Sequence, residues 1–72
     1  MEDFIIFIAS VLKVNPLILS PKTAYGSLAQ WNSIMHLRLI MEIEDKYNVE
    51  IPIDKVPSSK SIEQLYSYVA GR

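Results

Sequence analysis

A serine at the start of an amphipathic helix is the residue of this chain that is best placed for chemistry. Ser33 follows Asn32 at the end of a long polar stretch and precedes apolar residues at helical spacing. Unpaired N–H groups and the helix dipole favour negative charge at such a position, which suits a phosphate ester on the hydroxyl. Both residue types are also preferred N-caps, so either could simply cap the helix. The position therefore predicts a modification site or a cap.

A catalytic role for Ser33 has little support in the sequence. His36 lies three positions further on, on the same helical face, and could act as a base. No third group that would orient the imidazole can be identified, and such a pair is weak evidence for a hydrolase. The acidic residues between positions 42 and 50 lack the glycine-containing ligand loop of an EF-hand. We therefore expect no catalytic residue and no metal site.

The first helix and the loop behind it are expected to lead the chain to this serine. Apolar residues recur at helical spacing from Glu2 to about Val14, and Pro16 stops that helix. Residues 15–30 carry two prolines, a glycine and no helical or strand period, which predicts a long loop. Loops of this length in compact domains are usually functional or packed on themselves. Four apolar residues are expected to anchor it to the core: Leu17, Leu19, Leu28 and Trp31.

The second helix is expected to run from about Ser33 to Tyr47, with Asn48 as its C-terminal stop. Its spacing predicts a buried face on one side. That face would consist of Ile34, Leu37, Ile40, Met41 and Tyr47.

A short helical turn at residues 54–56 and a last helix complete the expected elements. The last helix would begin at Ser59 or Ser61 as N-cap, and Gly71 would follow its C-terminal end. Its buried residues would be Ile62, Leu65 and Val69. The fold class predicted is all-α: a small four-helix bundle with three main helices, one short helix and a long first loop.

Size and composition limit the function classes. The chain has 72 residues, half of them hydrophobic, which predicts one domain over residues 1–72, expected to be a monomer. The absence of cysteine excludes a disulfide framework and fits a reducing, cytoplasmic compartment. A net charge of −1 with scattered basic residues argues against nucleic acid. The apolar run at residues 4–8 follows two acids and is too short to span a bilayer, so no signal peptide or membrane partner is expected.

Several short motifs in the right order carry a family resemblance. Trp31-Asn32-Ser33-Ile34 opens the second helix, and Glu50-Ile51-Pro52 follows its end at Glu44-Asp45-Lys46-Tyr47. With the first helix, the long loop and Ser61-Ile62, the chain resembles the acyl carrier and peptidyl carrier proteins over nearly its whole length. The resemblance implies 4′-phosphopantetheine from coenzyme A, attached covalently to Ser33 and flanked by Asn32 and Ile34.

The resemblance also implies a function and partners. The chain would be a non-catalytic carrier of acyl or aminoacyl groups held as thioesters on the arm. A phosphopantetheinyl transferase would modify it, and loading and processing enzymes would serve it: an acyl or adenylate-forming ligase, a synthase or a transferase. The alternative is a small helical protein-interaction domain of carrier-like fold without a prosthetic group. A DNA-binding three-helix domain ranks third because of the charge.

Two departures from the family pattern limit the type of carrier that we expect. Asn32 stands where carriers usually have Asp, which removes a charge that can pair with a transferase and predicts slower or partner-selective modification. The second helix also lacks the acidic start of fatty-acid-synthase carriers. This favours a stand-alone carrier of a specialised pathway for polyketides, nonribosomal peptides or related lipids. The docking surface expected around the serine consists of Met35, His36, Arg38 and Leu39, with an ordinary solvated helix face as the alternative.

Overall fold

Three α-helices carry the fold in a computed structural model that describes residues 1–70. They are α1 (Glu2–Leu12), α2 (Ser33–Tyr47) and α3 (Ile62–Ala70). Two 3₁₀ segments lie between them, Pro16–Ile18 in the first loop and Ile53–Ser58 between α2 and α3. The described residues contain no strand beyond an isolated bridge between Ala24 and Ser61. The all-α fold with three main helices, a short one and a long first loop is confirmed.

The end of α1 comes two residues earlier than the apolar pattern predicts. Lys13 adopts a left-handed conformation at φ 60° and ψ 47°, which stops the helix after Leu12. The N–H of Val14 then reaches back to the carbonyl of Ala9 at 3.0 Å, the long-range bond of a Schellman cap. Val14 therefore packs as part of the cap and not as a helical residue.

The buried face of α2 differs from the one predicted. Ile34, Leu37 and Met41 are 77, 58 and 68% exposed, so the prediction was wrong for these three residues. Ile40 is buried and Tyr47 is half-buried, as expected. The residues of α2 that enter the core are His36, Leu39, Ile40 and Ile43. Both sets recur at helical spacing, so α2 has two apolar stripes and the periodicity does not show which one packs inward.

The long loop is ordered and partly anchored as expected. Leu19 and Trp31 are buried and Leu28 packs against the core, whereas Leu17 is 89% exposed and the prediction for it was wrong. Leu17 lies in the 3₁₀ segment, where its N–H bonds to the side chain of Asn15 at 2.9 Å. This local turn keeps the backbone satisfied while the leucine side chain points to solvent.

The second half of the loop is joined to the start of α3. The N–H of Tyr25 donates to the carbonyl of Lys60 at 2.6 Å, and the N–H of Ile62 donates to the carbonyl of Thr23 at 3.0 Å. These bonds hold residues that are far apart in the chain, so the loop and α3 are positioned together.

The segment before α3 is longer than the predicted turn at 54–56. The 3₁₀ segment includes Pro57, and the N–H of Ser59 satisfies the carbonyls of Lys55 and Val56 behind the proline. Proline has no backbone N–H to donate. It is tolerated here because this 3₁₀ segment is short and loses few backbone hydrogen bonds.

The N-cap of α3 is Ser61, one of the two predicted candidates. Its Oγ accepts from the N–H of Gln64 at 3.2 Å, and the Gln64 side chain accepts from the N–H of Ser61 at 3.1 Å. This reciprocal pair is a capping box. The predicted role of Gly71 lies outside the described residues.

One apolar core joins the helices and the loop. Its fully buried large side chains are Trp31, Phe4, Ile8, Leu39, Ile43, Ile62 and Leu65. Val69 is also buried, which confirms the predicted inner face of α3. Within residues 1–70, no helix is both long and apolar enough to cross a membrane.

Candidate functional site

Ser33 is the first residue of α2, and its hydroxyl is left free by the residue before it. Asn32 has an extended backbone and is the N-cap; its Oδ1 accepts from the N–H of Met35 at 3.0 Å. The first N–H of the helical ladder, that of His36, bonds to the Asn32 carbonyl at 2.8 Å. Ser33 is exposed, and in the described part of the chain its Oγ has no hydrogen-bond partner. Of the two caps that the sequence left open, the structure shows Asn32.

A buried pair of rings holds the loop against the N-terminal end of α2. Trp31 is fully buried, and its Nε1–H donates to Nδ1 of His36 at 3.0 Å. An indole only donates, so Nδ1 accepts and Nε2 of the neutral imidazole carries the proton. That Nε2–H reaches the carbonyl of Val56 at 3.1 Å. His36 thus joins three segments around Ser33, and neither ring nitrogen bonds to the serine.

The docking surface predicted from the sequence is only partly at the surface. Arg38 is exposed and lies 3.6 Å from Glu42, and Met35 is half-buried against the core. His36 and Leu39 are 6 and 0% exposed, so their placement on a docking surface was wrong. His36 and Leu39 belong to the stripe of α2 that packs into the core. The sequence predicted that the neighbouring stripe, which contains Ile34, Leu37 and Met41, would be buried instead.

The exposed apolar stripe of α2 begins next to Ser33 and continues along the helix. Ile34, Leu37 and Met41 are exposed large apolar side chains on this helix, and Arg38 lies beside them. We call these three residues the apolar α2 face. Glu44 and Asp45 border the same surface further along the helix.

The acidic residues of α2 have structural contacts that the sequence did not reveal. The Glu44 carboxylate accepts from the N–H of Ile51 at 2.8 Å and so ties the link after α2 back to the helix. Among residues 1–70, no group of three or more His, Cys, Asp or Glu side chains is arranged to hold a metal ion.

A groove of about 310 Å³ opens beside the serine. We call it the Ser33 groove; its lining residues are Tyr25, Ser33, His36, Leu37, Val56, Pro57 and Lys60. The Tyr25 ring packs edge-on to His36 at 5.2 Å, and the Lys60 ammonium lies 5.9 Å from the Tyr25 ring centre. The sequence does not predict this groove, because its walls come from segments that are separate in the chain: the loop, α2 and the second 3₁₀ segment.

Comparison with known families decides the assignment. The model of the family described as the phosphopantetheine attachment site matches residues 5–69, which include α2 and both flanking loops. The chain belongs to the phosphopantetheine attachment-site family. This confirms the resemblance to acyl and peptidyl carrier proteins and the predicted cofactor, since the family carries covalently attached 4′-phosphopantetheine. No curated protein matches the chain.

The geometry of this carrier fits such a prosthetic group. Attachment needs an accessible hydroxyl, and Ser33 offers one that is not used for capping. The end of α2 at which it lies is the positive end of the helix dipole, which favours the charge of a phosphodiester. Carrier domains of this family are generally non-catalytic, and they generally interact with phosphopantetheinyl transferases and processing enzymes.

Proposed function

We propose that Ser33 is the attachment residue and that this single carrier domain presents acyl or aminoacyl thioesters to partner enzymes. The observation that carries the proposal is the division of work between two neighbours. Asn32 caps α2 through its side chain, and Ser33 is left exposed, with no hydrogen-bond partner for its Oγ among residues 1–70. Because the cap is provided elsewhere, modifying this hydroxyl leaves the start of the helix intact.

Attachment requires a transferase, because no base in residues 1–70 bonds to the Ser33 hydroxyl and both ring nitrogens of His36 have other partners. A bond forms between Ser33 Oγ and the phosphorus next to the pantetheine part of coenzyme A, and the phosphoanhydride bond breaks. The nucleotide part of coenzyme A leaves, and the serine proton passes to a base on the transferase. The attached arm supplies a thiol for thioester chemistry. The contribution of the chain is to place that arm at a helix end where its charge is stabilised.

The apolar α2 face is the surface that we propose for partner docking. Ile34 and Leu37 are exposed close to the serine, and Met41 continues the stripe by one turn. Arg38 lies at the edge of this face and pairs with Glu42. Glu42 is the first acidic residue of α2, so the N-terminal half of the helix has no acidic side chains. A basic partner surface would find little attraction there. This favours a specialised biosynthetic pathway for acyl, polyketide or aminoacyl cargo over the fatty-acid-synthase type.

Intact mass measurement tests the proposal directly. The purified chain is incubated with coenzyme A and a broad-specificity phosphopantetheinyl transferase. We expect the mass of one phosphopantetheine to be gained by the parent and by Ser67→Ala, and not by Ser33→Ala. Ser67 is a matched control because it is also an exposed helical serine, in α3. Circular dichroism should show that Ser33→Ala keeps the helical content of the parent.

A variant at position 32 provides the result that would contradict the proposal. Asn32→Asp restores the residue that carriers usually have before the serine. If neither the parent nor this variant gained mass, the chain would be a carrier-like interaction domain without a prosthetic group. Gain by Asn32→Asp alone would show that Ser33 is competent and that Asn32 restricts the choice of transferase.

A further inference from the structure

We propose that the Ser33 groove holds the part of the arm that is nearest to the protein, with Lys60 facing the phosphodiester. This inference rests on the proposed function, since its occupant is the group attached to Ser33. The groove and the attachment atom are not separate sites, because Ser33 itself lines the groove. A tethered occupant needs little intrinsic affinity, since its local concentration is set by the tether.

The walls of the groove match the chemistry of the arm near its attachment point. Next to the phosphodiester, the arm carries a carbon with two methyl groups. Leu37, Val56 and Pro57 provide apolar contact surface on the sides of the groove. Most of the lining surface is apolar, and Lys60 supplies a charge at the groove, which suits a segment with a charged end and an apolar body.

Lys60 provides the charge that an anionic occupant requires. Of the basic side chains described, Lys22 is paired with Glu63 at 3.0 Å and Arg38 with Glu42. Lys60 has no carboxylate partner in residues 1–70, and its ammonium lies over the Tyr25 ring. That contact keeps the ammonium at the groove without neutralising it. A phosphodiester on Ser33 would provide the missing counter-charge.

The size of the groove limits how much of the arm it can hold. About 310 Å³ is at the lower end of the roughly 300–1,000 Å³ typical of ligand pockets, and the groove is open to solvent on one side. It therefore accommodates the phosphodiester and the dimethyl-bearing segment. The thiol end and its cargo remain outside, where a partner enzyme docked on the apolar α2 face can reach them.

Isotope-filtered NMR on the holo protein tests this placement. The chain is labelled with ¹³C and ¹⁵N and modified with unlabelled coenzyme A, and its mass is confirmed before any spectrum is recorded. We expect nuclear Overhauser contacts from the arm methyls to the Val56 methyls and the Tyr25 ring. An exposed charge pair shifts an equilibrium by a factor of roughly 1.5 to 5, so Lys60→Gln should lower the bound-to-free ratio of the arm by that factor.

The control is Lys55→Gln, which removes an exposed lysine that lies in the second 3₁₀ segment, near Lys60 in the chain but not in the groove lining. It should leave the arm contacts unchanged. Absence of contacts in a holo parent of correct mass would overturn the groove and leave the attachment at Ser33 standing. Equal effects of the two lysine variants would overturn the role of Lys60. Failure of both the parent and Asn32→Asp to gain mass would instead overturn the proposed function, and the groove proposal with it.

Discussion

Asn32 and Ser33 are adjacent polar residues with different roles: Asn32 caps α2, and Ser33 is the attachment residue that we propose. The capping bond from Oδ1 of Asn32 needs an extended backbone before the helix, and the structure has this conformation at φ −96° and ψ −177°. Ser33 is already helical, so its side chain points away from the N–H groups that it would cap. An amide at position 32 keeps the capping geometry of the Asp found in most carriers and removes only its charge.

Substitution of these two residues should separate the roles in the unmodified protein. Asn32→Ala removes the cap and should lower the free energy of unfolding by about 1 kcal/mol. Asn32→Asp should keep it, and Ser33→Ala should change it by less than about 0.5 kcal/mol, as expected for an exposed side chain that has no hydrogen bond among the described residues. Urea denaturation followed by circular dichroism measures all three. A larger loss for Ser33→Ala than for Asn32→Ala would show that the serine is the cap.

His36 is a polar residue that the core requires. Its two ring nitrogens join Trp31 and the carbonyl of Val56, so every buried polar atom of this pair has a partner. A buried donor or acceptor that loses its partner typically costs about 1–3 kcal/mol. The position three residues after Ser33 suggested a possible base, whereas the hydrogen bonds show a structural link between the loop, α2 and the second 3₁₀ segment.

The two apolar stripes of α2 differ in burial. The inner stripe includes Leu39 and Ile43, which are fully buried and belong to the core to which α1, the loop and α3 also contribute. The outer stripe is the apolar α2 face. Surface leucines scattered singly are common, but three large apolar residues on one helix beside the proposed attachment residue form a surface suited to binding.

Leu39 and Leu37 form a matched pair that tests this orientation of α2. Leu39→Ala should lower the free energy of unfolding by about 2–5 kcal/mol, because it leaves a cavity in a filled core. Leu37→Ala should change it by less than about 0.5 kcal/mol. Thermal and urea unfolding report both values. A chain of this size has a net stability of only a few kcal/mol, so an unfolded Leu39→Ala would also agree with the expected loss of free energy of unfolding. Similar losses for both variants would contradict the orientation.

The molecule as a whole depends on contacts between segments that are distant in sequence. The first loop is bonded to the start of α3 through Tyr25 and Ile62, and the carboxylate of Glu44 holds the link at Ile51. Because the helices are short, the loop contributes side chains such as Trp31 that the helices alone cannot supply to the core. Ordering of the loop and folding of the bundle should therefore be a single event.

Native-state hydrogen exchange tests this coupling. The amides of Tyr25 and Ile62 should be protected to nearly the same extent as the core amides of α2, since opening them requires separating the loop from α3. Gln30 is the control, because it lies in the same loop and is exposed, and its N–H has no partner among the described residues. Its amide should exchange rapidly. Tyr25 exchanging as fast as Gln30 would mean that the loop opens independently of the bundle.

Local physical chemistry was enough to predict the elements and the attachment candidate. Helix ends depend on proline, on left-handed caps and on polar N-caps that act within a few residues, so the sequence predicted α2 and a start of α3 at Ser59 or Ser61, of which the structure shows Ser61. The position of Ser33 at a helix start and the family resemblance followed from motifs of the same kind. The end of α1 was misplaced because a left-handed lysine is not a usual stop signal.

The tertiary structure alone decided which residues are inside and what surrounds the serine. Periodicity gives two equivalent apolar stripes on α2, and only the assembly of the common core selects the one containing Leu39. The burial of His36 and the walls of the Ser33 groove depend on residues that are close in space and far apart in sequence, such as Tyr25 and Lys60. No local signal specifies such contacts, because they are determined by the burial of the whole core.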